Sequence, residues 1–155
     1  MNAVKNIRLK CYDYKTNGFY FVTIVTNYRQ KFLIGKNKDV VARFIRHLGQ
    51  SPGVVIDYSM IMPDHIHFIL ILNDCSLKLG EIIRRFKALT THELGIRLWQ
   101  PNYYEHVIRN ENALYKIREY IQNNPEAERI KWSQFYEENV PKTSMAALLN
   151  RAIRQ

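Results

Sequence analysis

His65 and His67 flank a single isoleucine in an otherwise apolar run, and this spacing can do chemistry. Alternate residues of an extended strand share a face, so both imidazoles project together while Ile66 and Phe68 point the other way. At a Cα separation of about 7 Å, two such rings can converge on one divalent cation, and a further donor must then come from elsewhere. The bland alternative is a pair of satisfied or exposed histidines. A second constellation is Tyr120 with Asn124, four residues apart in a helix-like segment and so about 40° apart on its surface. A phenol ionises only near pH 10, but close to a cation and a basic surface its hydroxyl is suited to attack on phosphorus. Covalent capture on tyrosine conserves the energy of a phosphodiester, so a cut strand can be rejoined without ATP. Against this stand a boundary core tyrosine at Tyr120 and a helix-capping or turn residue at Asn124, just before Pro125.

These residues need a frame. The aromatic and β-branched stretch 19–26 reads as a strand bounded by Asn17-Gly18 and Asn27. Val40, Val41, Phe44, Ile45 and Leu48 recur at helical spacing, with Asn37 or Asp39 able to start that helix and Gly49 to end it. Val54 to Met62 and His65 to Leu72 form two strands around a Pro63-Asp64 turn. A second helix is expected over 77–95, with Leu79, Ile82, Ile83 and Phe86 as its apolar stripe. Arg84, Arg85 and Lys87 fall outside that stripe, as phosphate contacts or as a solvated basic face. A short strand at 103–107 precedes a third helix, capped by Asn110 and ending near Asn123. Leu114, Ile117 and Ile121 form its buried stripe; Tyr120 sits at the border, and Tyr115 lies roughly 140° away from it. A last short helix is expected over 144–153. The order β-α-β-β-α-β-α predicts an α+β, ferredoxin-like sandwich, a largely antiparallel sheet with helices on one face.

Composition narrows the partner. The 155 residues carry 23 Lys and Arg against 14 Asp and Glu, a formal charge of +9. A pI near 9.6 points to a polyanion, most often nucleic acid. With 46% hydrophobic and 24% charged residues the chain has a globular rather than a disordered composition. No apolar run approaches the roughly 20 residues of a membrane span, and the start has no signal-peptide core, so no membrane partner is expected. Cys11 and Cys75 form neither a metal-ligand pattern nor a disulfide framework, which suits a reducing cytoplasm.

Several ordered segments together resemble the single-tyrosine HUH transposases, specifically their REP-associated branch. They are Arg8-Leu9-Lys10, Tyr12-Asp13-Tyr14, the strand 20–26, Met62-Pro63-Asp64-His65-Ile66-His67-Phe68, and Phe86-Lys87. Trp99-Gln100, the stretch 103–109, and Glu119-Tyr120-Ile121-Gln122-Asn123-Asn124-Pro125 complete the set, which spans about residues 7–132. The resemblance implies metal binding by His65 and His67, completed by Asn124, and a nucleophilic role for Tyr120. It implies Mg²⁺ or Mn²⁺, nicking of single-stranded DNA at or beside hairpins such as REP palindromes, and a 5′-phosphotyrosine intermediate with a free 3′-hydroxyl. Members act as monomers or homodimers. Residues 1–132 are then the transposase domain, and 133–155 a tail that matches no family pattern. The competing reading is a non-catalytic nucleic-acid-binding module or palindrome-binding repressor, for which Tyr120→Phe is neutral; a metal-dependent hydrolase using water would cut without forming an adduct.

Overall fold

The computed structural model describes residues 17–126 and 130–136. The expected helix at 144–153, the segments around Arg8 and Tyr12, and Cys11 lie outside the described residues. Four strands, β1 (Gly18–Val25), β2 (Val54–Met62), β3 (His65–Leu72) and β4 (Tyr104–Ile108), alternate with α1 (Gly35–Leu48), α2 (Leu79–Leu94) and α3 (Glu111–Asn123) in the predicted order. The sheet runs β2-β3-β1-β4 with every neighbouring pair antiparallel. That is the split β-α-β arrangement of a ferredoxin-like α+β fold, as expected.

The alternation of side chains sorts the interior into two layers. Tyr20, Val22 and Ile24 of β1, with Ile66, Phe68 and Leu70 of β3, meet Val41 and Ile45 of α1 and Ile82, Ile83 and Phe86 of α2. Phe19 and Phe21, with Ile69 and Ile71, meet Leu114, Ile117 and Ile121 of α3 on the other side. The fold class is therefore as read from the sequence, but the helices do not all share one face: α3 covers the side opposite α1 and α2. The physical reason lies in the strands themselves. β1 and β3 are buried at every position, so neither of their faces can be left to solvent. The consequence is functional, because His65 and His67 belong to the same parity as Ile69 and Ile71 and face α3.

Two local features set the register of the hairpin that carries them. Before β2, Gly53 has φ +78°, and a Cβ there would meet the Asn73 carbonyl oxygen at 2.7 Å, so only glycine fits. Within β2 the pairing slips between Ile56 and Tyr58, a bulge that leaves Asp57 without a partner residue on β3. A 3₁₀ turn, Trp132–Phe135, follows α3 and packs on the same layer, carrying Phe135 and Tyr136 into contact with it.

Candidate active site

His65 and His67 are almost fully buried, with 2% and 1% of their surface exposed. Their rings meet edge to face with centroids 4.6 Å apart, and Phe21 stacks on His67 at 5.4 Å. Both Nε2 atoms converge on one atom, the backbone carbonyl oxygen of Pro125, at 3.0 Å from His65 and 3.1 Å from His67. The other nitrogens are also held. His65 Nδ1 lies 2.7 Å from Asp64 Oδ1, and His67 Nδ1 lies 2.8 Å from Thr23 Oγ1. Thr23 is the residue directly opposite His67 in the β1–β3 pairing. Burial, reinforced by neighbouring His65, pushes the His67 pKa down to about 3, against the opposing pull of its hydrogen bond to Pro125. A buried imidazole that resists protonation, with its far nitrogen fixed by an outer partner, has the character of a metal ligand. Among the described residues no group of three or more His, Cys, Asp or Glu is placed to hold a metal ion.

The end of α3 reaches this pair through its backbone. Asn110 caps the start of the helix, its side chain accepting from the Ala113 N–H at 2.7 Å. The apolar stripe then fixes the rotation, leaving Tyr120 half-buried against the sheet and Tyr115 58% exposed on the far side. The Tyr120 ring abuts Phe135 edge-on, with centroids 5.3 Å apart. Asn124, expected as the third donor through its side-chain oxygen, braces the end of the helix through its nitrogens. Its backbone N–H and its Nδ2 both donate to the Tyr120 carbonyl, at 2.9 and 3.0 Å, closing the last turn. The next residue, Pro125, supplies the carbonyl that faces the histidines. The structure thus unites His65, His67 and the helix turn carrying Tyr120 through the Pro125 carbonyl.

Sequence reasoning missed several supporting residues. His106 of β4 stacks on Trp132 with centroids 3.9 Å apart and planes 3° apart, and its Nε2 lies 2.7 Å from the Tyr136 hydroxyl. Burial, then the nearby Arg109 charge, pushes its pKa down to about 3. The Trp132 indole N–H donates to Tyr104, and Trp132 packs on Phe21 at 5.0 Å, one ring away from His67. Thr23 and Asp64 were findable, one by pairing register and one by adjacency to His65. The Trp132–His106 stack has no local signal, because it joins residues remote in sequence.

The three basic residues of α2 part company. Arg84 and Arg85 are exposed, and both donate to Glu81, at 2.6 to 2.9 Å, holding its carboxyl well below the usual range. Lys87 instead turns inward, donating to the carbonyls of Gln100 at 2.6 Å and Asn102 at 2.8 Å, and burial lowers its pKa to about 8. It ties α2 to the turn before β4. All three ride on the helix layer opposite α3.

With this geometry in view, similarity to known proteins becomes informative. The family model described as "Transposase IS200 like" matches residues 14–124, a span that holds both histidines, Tyr120 and Asn124. The chain belongs to the IS200-like transposase family. Among curated relatives of this transposase, an uncharacterized protein of Haemophilus influenzae is 33% identical over 84% of this chain and 90% of its own length. The REP-associated tyrosine transposase of Escherichia coli is 26% identical over 72% of this chain and 68% of its own. Among solved structures, a REP-associated tyrosine transposase bound to a REP hairpin aligns with a TM-score of 0.63 and 25% identity, covering 81% of this transposase and 73% of that chain. A transposase-like protein of Deinococcus radiodurans shares the fold, with a TM-score of 0.53 over 75% of this chain and 95% of that one. Among the described residues no helix is long and apolar enough to cross a membrane.

Proposed function

We propose that this IS200-like transposase nicks and rejoins single-stranded DNA at or beside hairpins of the REP type, with Tyr120 as nucleophile. The observation that carries the reading is the attachment of the last turn of α3 to the buried His65–His67 pair, which brings the one half-buried tyrosine of that helix to the histidine face of the sheet. The net charge of +9 suits a polyanionic substrate, and the hairpin-bound relative supports this choice of DNA.

In the reaction, the Tyr120 hydroxyl gives up its proton and its oxygen forms a bond to phosphorus as the bond from phosphorus to the 3′-oxygen breaks. The departing 3′-oxygen takes up a proton, and the 3′-side fragment remains joined to Tyr120 through its 5′-phosphate. Attack by a 3′-hydroxyl reverses these steps and returns the phenol. His65 and His67, with the Asn124 side-chain oxygen at the end of α3, would hold Mg²⁺ or Mn²⁺, which would supply positive charge against the scissile phosphate. Asp64 and Thr23 keep the two rings from turning. Phe135 limits the swing of the Tyr120 ring. Arg84 and Arg85 offer phosphate contacts outside the reacting centre, the reaction takes place in the cytoplasm, and residues 133–155 begin within the 3₁₀ turn that carries Phe135.

The test is identification of the linked residue. After incubation with a hairpin oligonucleotide and Mn²⁺, nuclease trimming and tryptic mass spectrometry are expected to find the nucleotide on the peptide containing Tyr120. Cut DNA with unmodified Tyr120 would mean that water, or another residue, is the nucleophile.

A further inference from the structure

The turn that leaves β1 holds an aromatic side chain in solvent on a strained backbone. Tyr28 stands at φ +54° and ψ +23°, and Arg29 follows it at φ +54°. This left-handed region suits glycine or asparagine, and a bulky residue there is an outlier. Such strain persists only where the surroundings impose it. Here they do. The Thr26 N–H donates to the Asp64 carbonyl at 2.9 Å, and its hydroxyl donates to the Gln30 carbonyl at 2.7 Å. The Asn27 N–H donates to the Leu98 carbonyl at 2.8 Å, and the N–H of buried Leu33 to the Pro63 carbonyl at 2.9 Å. Yet the ring so positioned packs into neither core layer and is 65% exposed.

The same bonds fix this turn beside the histidine pair. The carbonyl that Thr26 meets belongs to Asp64, whose carboxylate holds His65, and Val25 lies opposite His65 in the β1–β3 pairing. Tyr28 follows Val25 by three residues, at most about 10 Å along the chain. Residues 27–38 carry Arg29, Lys31, Lys36 and Lys38, all exposed, and no acidic side chain.

We infer that Tyr28 is a stacking platform for an unpaired base next to the scissile phosphate, with Arg29 and Lys31 against the neighbouring phosphates. This inference rests on the hairpin-DNA reading proposed above and deepens it by assigning where the single-stranded flank runs. Cations interleaved with an exposed aromatic are the combination that tracks a single strand, since every base has a face to stack. A ring already held in place loses little freedom when the base arrives. The stem of a hairpin keeps its base faces stacked inside the duplex, so the platform selects the unpaired flank.

The test uses the full chain in EDTA, so that binding is read apart from cleavage, and REP-type hairpin oligonucleotides with or without single-stranded flanks. 2-Aminopurine, whose fluorescence falls on stacking, replaces the flank bases one at a time. Quenching at a flank position is expected in the wild type, lost in Tyr28→Gly and kept in Tyr28→Phe. Tyr28→Gly is expected to weaken binding of the flanked hairpin by about fivefold or more and to leave the flankless one unchanged. Its Tm should equal or exceed that of the wild type, because glycine relieves the left-handed backbone, so the loss is not one of folding. Equal quenching and affinity in Tyr28→Gly and wild type would overturn the inference, as would an equal loss for the flankless hairpin. A parallel arm in Mn²⁺ separates the two readings. A wild-type adduct without Tyr28-dependent quenching would overturn the platform alone, whereas Tyr28-dependent quenching without any adduct would keep the platform and overturn the nicking.

Discussion

Arg118 and Asp57 form a two-pronged ion pair between α3 and the bulge of β2, the Arg118 Nε lying 2.8 Å from one carboxylate oxygen and Nη2 bonding the other. The bulge explains why the pair exists. Ile56 and Tyr58 face opposite layers of the sheet, and the inserted Asp57 is free of cross-strand pairing and available to the helix. Arg118 stands two residues before Tyr120, so the pair sets where along the sheet the helix lies.

Removing one partner of this pair leaves a largely buried charge behind, the Asp57 side chain being only 14% exposed. Arg118→Ala is expected to lower stability by about 1–3 kcal/mol, between the values typical of exposed and of fully buried pairs. Adduct formation should slow further than DNA affinity falls, because the helix loses its anchor rather than a DNA contact. Chemical denaturation and single-turnover kinetics measure the two effects; an unchanged adduct rate in a folded variant would remove Arg118 from the account.

Thr23 holds the far nitrogen of His67, and its loss should be felt at the metal. Thr23→Val keeps the shape of the side chain but leaves His67 Nδ1 buried without a partner. Mn²⁺ affinity is expected to drop about 10–100-fold, as for other outer-shell hydrogen bonds, with Thr23→Ser restoring most of it. Equal affinity in Thr23→Val and wild type would contradict this role.

The strap formed by residues 130–136 carries a pH dependence through His106. Its pKa is about 3 in the folded protein against 6.5 in the unfolded chain, because burial and Arg109 disfavour the charged ring. The unfolded state therefore binds more protons between those values. The stabilisation is complete above about pH 6.5 and is lost progressively as pH falls towards 3, by at most about 1.4 kcal/mol per pH unit. His67 shifts in the same sense. Thermal unfolding from pH 7 to pH 5 is expected to show a falling Tm, with a shallower slope in His106→Phe, which preserves the ring but not its titration. Parallel slopes would assign the dependence to other groups.

The basic residues of α2 should separate by experiment as they do in space. Arg84→Ala with Arg85→Ala is expected to weaken hairpin binding and to reduce the salt slope by about one or two phosphate contacts, with little change in Tm. Lys87→Met is expected to do the reverse, since it removes an inward donor to two carbonyls. Filter binding across a salt series, beside thermal melts, reads both. A salt slope untouched by the double arginine variant would confine DNA binding to other surfaces.

Much of this frame is legible in the residues, for identifiable reasons. The helices repeat their apolar residues at helical spacing, and β1 and the β2–β3 pair carry β-branched and aromatic runs interrupted at a proline turn. Their order then leaves few topologies. The half-burial of Tyr120 and the exposure of Tyr115 follow from the stripe Leu114, Ile117 and Ile121 alone. The placement of α3 opposite the other helices was readable only by asking which layer covers the second face of β1 and β3. The Asp57 bulge, the Trp132–His106 stack and the inward turn of Lys87 depend on contacts between distant segments. Pro125 is the clearest limit. A backbone carbonyl has no residue identity, so its contact with both histidines could not be read from side-chain spacing.

The central claim is tested most directly by a denaturing gel of protein with single-stranded hairpin oligonucleotides labelled at the 5′ or the 3′ end, in Mn²⁺ or EDTA. The wild type, Tyr115→Phe, Tyr120→Phe and His67→Ala are run side by side. The account predicts a metal-dependent adduct carrying the 3′-side fragment in the wild type and in Tyr115→Phe, and none in Tyr120→Phe or His67→Ala. An adduct that survives Tyr120→Phe, or tight hairpin binding by the wild type with neither cut nor adduct, would contradict it.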